Sequence, residues 1–303
     1  MKLAFHTLDV FTNRRFGGNP LAVVLGAEAL SGQQMQTICR EFNLSETIFV
    51  MPPADAANTA KVRIFFPGGE MPFAGHPTVG CAVLLAEMKH KPGCSFETVI
   101  RLEEVAGLVP VKVSRIGDVP RAQFTAPVVP FRARVQLPAV ADAARAVGLS
   151  PEDIGFDGHG LASLEGGPRF FYVPVDSRAA LEKSRVIEPY WSELLAPMAG
   201  VDAAYLYTRG GDAPATSFRA RMYAPTGGIP EDPATGSATA LLAAQLVTAE
   251  NLGDGSHRFD LEQGYEMGRP SDLQLECDIT SGALTAVRVS GQAIRVMEGW
   301  FEV

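Results

Sequence analysis

Residues Met1 to Phe11, MKLAFHTLDVF, alternate apolar and polar positions at the period of a β-strand. They contain no long apolar stretch followed by a small-residue cleavage site, so the start reads as mature protein. Ser31 and Gln34 stand at capping-box spacing for a helix with Met35, Ile38, Cys39 and Phe42 on one face, followed by a strand from Thr47 to Met51. Two later stretches are apolar nearly all the way round: Pro77 to Met88, with Val79, Val83 and Leu84, and Gly236 to Thr248, with Ala240, Leu241 and Leu246. A helix with no polar face has to be enclosed by its own domain. In the second half, Glu188 to Ala199 reads as helical and leads into a strand from Ala203 to Thr208. Ala139 to Val147 reads as a helix stopped by Gly148, with Ser150 and Pro151 as N-cap and first residue of the next turn.

These elements recur. Lys61 to Ala86 and Phe218 to Ala244 share one plan: an alternating strand, a Gly/Pro-rich loop, then an apolar helix. Arg63 to Pro67 matches Arg221 to Pro225, and Gly75-His76 matches Gly236-Ser237. If strands wrap each helix, the two loops face one another across a pseudo-twofold axis. Their free N–H groups then converge on one cleft, which suits a carboxylate because helix N-termini offer unpaired donors and a positive dipole end.

Length and charge narrow the class. A chain of 303 residues suits two lobes of about 150 residues each. Pro120 to Pro138 is the candidate crossover, which places residues 1–120 in the first lobe and 121–292 in the second, with a C-terminal strand near 293–303 as a candidate to complete the first. With 47% hydrophobic and 20% charged residues the composition is globular, and a net charge of −8 without a basic cluster argues against nucleic acid and for a small-molecule partner. The most apolar stretch, Ala234 to Ala249, is shorter than the roughly 20 apolar residues that span a bilayer, so no membrane segment is expected. Cys39, Cys81, Cys94 and Cys277 are scattered without metal or CxxC spacing, and read as reduced thiols of a cytoplasmic protein.

Three segments carry candidate chemistry: Asn43-Leu44-Ser45-Glu46-Thr47, the run Glu70 to Gly80, and the run Glu231 to Ala238. Glu46 adjoins the apolar run Ile48-Phe49-Val50; a carboxyl raised in pKa by such surroundings can take and return a proton near neutral pH, and the alternative is a surface Glu at a turn. His76 opens a helix, where it can relay a proton as a neutral imidazole or serve as a capping or packing residue. Asp232 is a candidate site carboxylate or a helix cap, and both roles can coexist. Gly75, Gly236 and Ser237 fit either a tight helix entry or a set of backbone donors. His6, His90, His159 and His257 lack ligand-spaced neighbours, so no metal site is assigned. Cys81, inside the apolar helix, reads as a packing residue. Arg14, Arg15, Arg219 and Arg221 read as solvated, with a salt bridge to a substrate carboxylate as the alternative.

Taken together with the N-terminal LDVFTNRRFGGNPLAVVL, these segments resemble the phenazine-biosynthesis PhzF-like family, whose fold is shared with diaminopimelate epimerase and proline racemase. The resemblance implies an α+β fold of two pseudo-symmetric lobes, each a curved, mostly antiparallel sheet or barrel round a central apolar helix. It further implies an active site between the lobes, no metal or organic cofactor, and a homodimer. Glu46 would be the proton-shuttling carboxylate, His76 and Asp232 its catalytic companions, and Ser45, Gly75, Gly236 and Ser237 the substrate-binding groups. The reaction implied is isomerisation of a small carboxylic acid such as dihydro-hydroxyanthranilate. The position that repeats Glu46 falls near Ala203 or Ala204, and the two helix starts hold His76 and Ser237 rather than paired cysteines, so one base on one face fits a proton shift better than inversion of a stereocentre. An epimerase or racemase of a small amino acid, or an idle metabolite- or protein-binding member, remain the alternatives.

Overall fold

The computed structural model describes residues 1–198, 200–201 and 203–303. Its first unit runs β1 (Lys2–Val10), β2 (Asn19–Leu25), α1 (Gly32–Phe42), β3 (Glu46–Met51), β4 (Ala60–Phe66), β5 (Gly69–Met71), α2 (Gly75–Lys89), β6 (Phe96–Glu104), β7 (Gly107–Arg115) and β8 (Arg121–Thr125). The second runs β9 (Phe131–Arg132), α3 (Val140–Ala146), β10 (Ala162–Glu165), β11 (Arg169–Pro174), α4 (Arg178–Lys183), α5 (Tyr190–Leu195), β12 (Ala204–Arg209), β13 (Phe218–Ala224), β14 (Ile229–Asp232), α6 (Gly236–Ala249), β15 (Gly255–Gln263), β16 (Ser271–Thr280) and β17 (Ala283–Glu302).

The first unit closes on itself. Pairing proceeds β1–β2–β3–β4–β6–β7–β8–β17 and back to β1, a barrel of eight strands. Val109, Val111 and Val113 of β7 alternate inward with exposed neighbours, and α2 fills the interior, burying 11 of its 15 residues. Gly80 sits mid-helix because the wall presses on it there: a Cβ would lie 2.6 Å from Leu21 and 2.7 Å from Val10. α1 stays outside, on the half-buried face set by Met35, Ile38 and Cys39, with the Ser31–Gln34 capping box in place.

The second unit repeats this plan around α6, in the order β9–β10–β11–β12–β13–β15–β16–β17. The parallel pair β2–β3 corresponds to β11–β12 and β4–β6 to β13–β15, with Lys61 opposite Glu103 in one and Arg219 opposite Glu262 in the other. Arg63 and Arg221 each grip a glutamate of the following short strand with two hydrogen bonds, Glu70 and Glu231 respectively. The fold is thus α+β, two pseudo-symmetric lobes each wrapped round an apolar helix.

Several local expectations need adjustment. Glu188 to Ala199 contains only the six-residue α5, which stops at Leu195 ahead of Pro197, and Ala199 lies outside the described residues. The helix before Gly148 is Val140–Ala146, and the central helices begin or end slightly beyond the apolar runs, at Gly75–Lys89 and Gly236–Ala249. Arg219 and Arg221 are not solvated; they are 5% and 8% exposed and held by Glu262, Glu266 and Glu231. Residues 121–125 pair with β7 and with Arg288–Gln292 of β17, so by hydrogen bonding they group with residues 1–120; the chain crosses to the second unit after Thr125.

Candidate active site

α2 and α6 meet at their N-termini. A Cβ on Gly75 would fall 2.9 Å from the Gly236 Cα and one on Gly236 3.3 Å from the Gly75 Cα, so the two helix entries touch only because both residues lack a side chain. Neither end carries a side-chain cap; Ala74 and Thr235 are the N-caps. First-turn N–H groups have no acceptor within a helix, so two sets of donors and two positive dipole ends face the same space. That space is a cavity of about 470 Å³ between the lobes.

Glu46, His76, Asp232, Gly75, Gly236 and Ser237 all line the cavity. Ser45 does not, but its hydroxyl is among the groups that lower the Asp232 carboxyl pKa and belongs to the same polar cluster. Glu46 opens β3, where the alternation of the strand turns its side chain inward beside α2. It is 6% exposed, which excludes the surface-turn alternative. Its Oε2 lies 3.2 Å from the His76 Nε2, within reach but not aligned as a hydrogen bond, and neither atom has another partner.

Asn19 organises the polar side. Its amide nitrogen lies 2.8 Å from Asp232 Oδ1, 2.9 Å from the Ala234 carbonyl and 3.2 Å from His76 Nδ1. With the amide donating, Nδ1 accepts, and the imidazole proton is assigned to Nε2, facing Glu46. Asp232 also accepts from Thr235 Oγ1 at 2.5 Å, and Gln263 ties Asp232 and Thr235 together through their backbones. Asp232 therefore caps no helix by side chain; it lies ahead of the N-cap and is itself held by donors.

Burial acts on all three ionisable groups, with different results. It lowers the His76 imidazole to about 3, so the ring is neutral. It raises Asp232 to about 6 against the hydrogen bonds from Thr235, Asn19 and Ser45. It raises Glu46 well above the carboxylate range, and the nearby Asp232 charge pushes it further the same way. Asp232 thus ionises before Glu46, whose proton is held by burial and by the neighbouring Asp232 charge.

Sequence reasoning missed Asn19, Gln263 and Arg169. Asn19 and Gln263 are fully buried polar residues, and the legible signal at Asn19 was a polar residue at the head of the apolar strand NPLAVVL. Arg169, at the pseudo-symmetric start of β11, lines the cavity and is bridged to Glu165, whereas Arg14, Arg15, Arg219 and Arg221 do not line it. Ala204 occupies the register position of Glu46 in the second lobe, Phe171 opposite Ala204 matching Leu21 opposite Glu46. Among the described residues, no carboxyl of the second lobe repeats Glu46 at this register position. Among the described residues no cluster of His, Cys, Asp and Glu could hold a metal ion, and no helix is long and apolar enough to cross a membrane.

The profile of the phenazine biosynthesis-like proteins, PhzC-PhzF, matches residues 8–299. The chain is 41% identical over 294 residues to an uncharacterised isomerase of Mesorhizobium japonicum, covering 96% of each. It is 32% identical over 293 residues to the trans-2,3-dihydro-3-hydroxyanthranilate isomerase of Pseudomonas aeruginosa, again covering 96% of each. The solved structure of a PhzF-family phenazine biosynthesis protein from Bacillus anthracis superposes with a TM-score of 0.87 over 100% of both chains at 22% identity, a likeness of fold.

Proposed function

The chain belongs to the phenazine biosynthesis-like PhzC-PhzF family and is an isomerase of that family, and we propose that it moves a proton between carbons of a small carboxylic acid with Glu46 as the single acid/base. The observation that carries this reading is the Glu46 carboxyl: buried, raised in pKa, and facing a cavity between two uncapped helix N-termini.

The substrate carboxylate is received by the first-turn N–H groups of α2 and α6, at Gly75, His76, Gly236 and Ser237. Glu46 in its ionised form takes a proton from a carbon conjugated to that carboxylate; the C–H electron pair enters the π system, the proton held on Glu46 exchanges with solvent, and Glu46 then delivers a proton to another carbon of it. A carboxyl whose pKa is raised by burial is a stronger base for the first step and still an acid for the second. The neutral His76 offers its Nε2–H to whichever oxygen carries negative charge, and the fixed charge of Asp232 keeps the Glu46 proton affinity high. Ala204 stands at the register position of Glu46 in the second lobe, so no carboxyl repeats Glu46 there, which favours a proton shift over racemisation.

A dihydro-hydroxyanthranilate is the substrate class the P. aeruginosa relative's name points to. Incubation of this compound in deuterated water, followed by proton NMR, tests the reading. Deuterium is expected on a ring carbon with the native protein, and Glu46→Gln is expected to lower the rate by about 10²–10⁴-fold without loss of fold. Undiminished exchange in Glu46→Gln would remove Glu46 from the mechanism.

A further inference from the structure

Glu104, the last residue of β6, does not line the cavity and has no part in the proton transfer above, yet it is 8% exposed inside the first barrel. Its Oε1 lies 2.7 Å from Thr78 Oγ1, which in turn lies 2.7 Å from the Ala74 carbonyl; its Oε2 has no partner. Thr78 has one hydroxyl proton to give. The Ala74 carbonyl can only accept, and so can an ionised carboxylate. Both short contacts are satisfied at once only when Glu104 carries its own proton, donates it to Thr78, and leaves the Thr78 proton for Ala74. Ala74 is the N-cap of α2, and Gly75 and His76 follow it.

The other lobe supplies an internal control. The pairings of Lys61 with Glu103 and Arg219 with Glu262 make Gln263 the counterpart of Glu104. Gln263 donates to the Asp232 carbonyl at 2.8 Å and to Thr235 Oγ1 at 3.0 Å, and accepts from the Thr235 N–H at 3.1 Å, Thr235 being the N-cap of α6. Each lobe therefore ends this strand in a side chain tied to the entry of its central helix. One lobe uses an amide, neutral at every pH, and the other a carboxyl of the same shape.

We propose that Glu104 is a positioning residue, which in its protonated form holds the first turn of α2 through Thr78 and so places Gly75 and His76 against the substrate. The claim rests on the inter-lobe cleft being the reaction site. Burial moves the Glu104 carboxyl to about 8, against the donation that Thr78 can make to its ionised form. The titratable group that interacts with it is the Cys81 thiol of α2, pushed upward by burial and then by the Glu104 charge; the neutral His76 stands at the head of the same helix. β4 and β7 turn Val62 and Val109 inward, while Lys61 of β4 is exposed and Glu103 of β6 binds Asn58 and the loop at Ala54 and Asp55. Ionisation of Glu104 would leave a buried charge and one proton among too many acceptors, and the helix entry would have to rearrange.

Amide NMR of the full chain reads this without substrate. The Gly75 and His76 resonances are expected to titrate near pH 8 in the native protein and to stop doing so in Glu104→Gln, which keeps the hydrogen bonds and removes the ionisation. Resonances that do not move near pH 8, or that move equally in Glu104→Gln, would overturn the proposal. Turnover of dihydro-hydroxyanthranilate gives the second reading: KM is expected to rise by about tenfold per pH unit above pH 8 in the native protein, with kcat less affected. That rise should be absent in Glu104→Gln, and KM should be high at every pH in Glu104→Ala. An alkaline rise in KM shared by the native protein and Glu104→Gln would also overturn it. Failure of turnover with the NMR result intact would count against the substrate, not against Glu104.

Discussion

Two carboxyls in one cleft are useful only if their protons come off at different pH, and here the difference is made by donors. Asp232 has Thr235, Asn19 and Ser45; Glu46 has the unaligned His76 alone. Replacing Asn19 with Leu is expected to raise Asp232 above about 6 and to move the acid limb of kcat/KM to higher pH. Because the folded-state pKa of Asp232 is raised, its contribution to stability is full below its ordinary value of 3.8 and lost as pH rises through about 6; in Asn19→Leu the loss extends further up. Urea unfolding near pH 7 should show the variant destabilised by about 1–3 kcal/mol, since a buried charge loses a donor. An unchanged pH profile would remove Asn19 from the control of Asp232. The sequence made Glu46, His76 and Asp232 visible because each lies in a short segment with its own signature. Asn19 and Gln263 were invisible because their meaning lies in partners: Asn19 reaches Asp232 across 213 positions of chain. Arg219 and Arg221 were misread for the same reason, their glutamates lying on neighbouring strands.

The two central helices were legible from composition, since an all-apolar helix can only be an interior one, and their internal repeat announced two lobes. The flanking helices α4 and α5 were poorly legible, being six residues each and dependent on packing against the second sheet. What no pattern could state is the distance between the helix entries. Gly75→Ala is expected to force them apart, because its Cβ would meet backbone at 2.9–3.0 Å on Gly236 and Ser237 with no flexible side chain to yield. A loss of about 1–3 kcal/mol in stability is expected from the overpacking, and about a hundredfold in kcat/KM from the shifted donors. Gly93→Ala, at a glycine with open space around it but φ of 76°, serves as a control: it should lower stability slightly and leave kcat/KM alone. Equal kinetics for both variants would show that the helix contact is not what sets the site.

At the scale of the molecule, β17 is the shared member. Over 20 residues it pairs first with β16 of the second lobe, then with β8 and finally with β1 of the first. Thermal unfolding followed by far-UV circular dichroism and by tryptophan fluorescence should therefore give one coincident transition rather than one per lobe. Deleting residues 293–303 strips β1 of a full edge of hydrogen bonds and is expected to abolish that cooperative transition. Two separate transitions in the intact chain would mean that the lobes are stable independently of the shared strand.

The position of β17 in the chain also bears on how the protein is made. The ribosome finishes β1 and β8 long before it reaches the strand that joins them. At about 5–20 residues per second, translation from Thr125 to Ala293 takes on the order of ten to thirty seconds. For that interval the nascent first barrel has two unpaired strand edges and an apolar helix it cannot fully enclose, a form suited to capture by another chain or by a chaperone. Completion of the first barrel and of the second sheet falls to a late, long-range event, so slow translation upstream of residue 283 lengthens the exposure, and protein yield should respond to codon choice over that stretch.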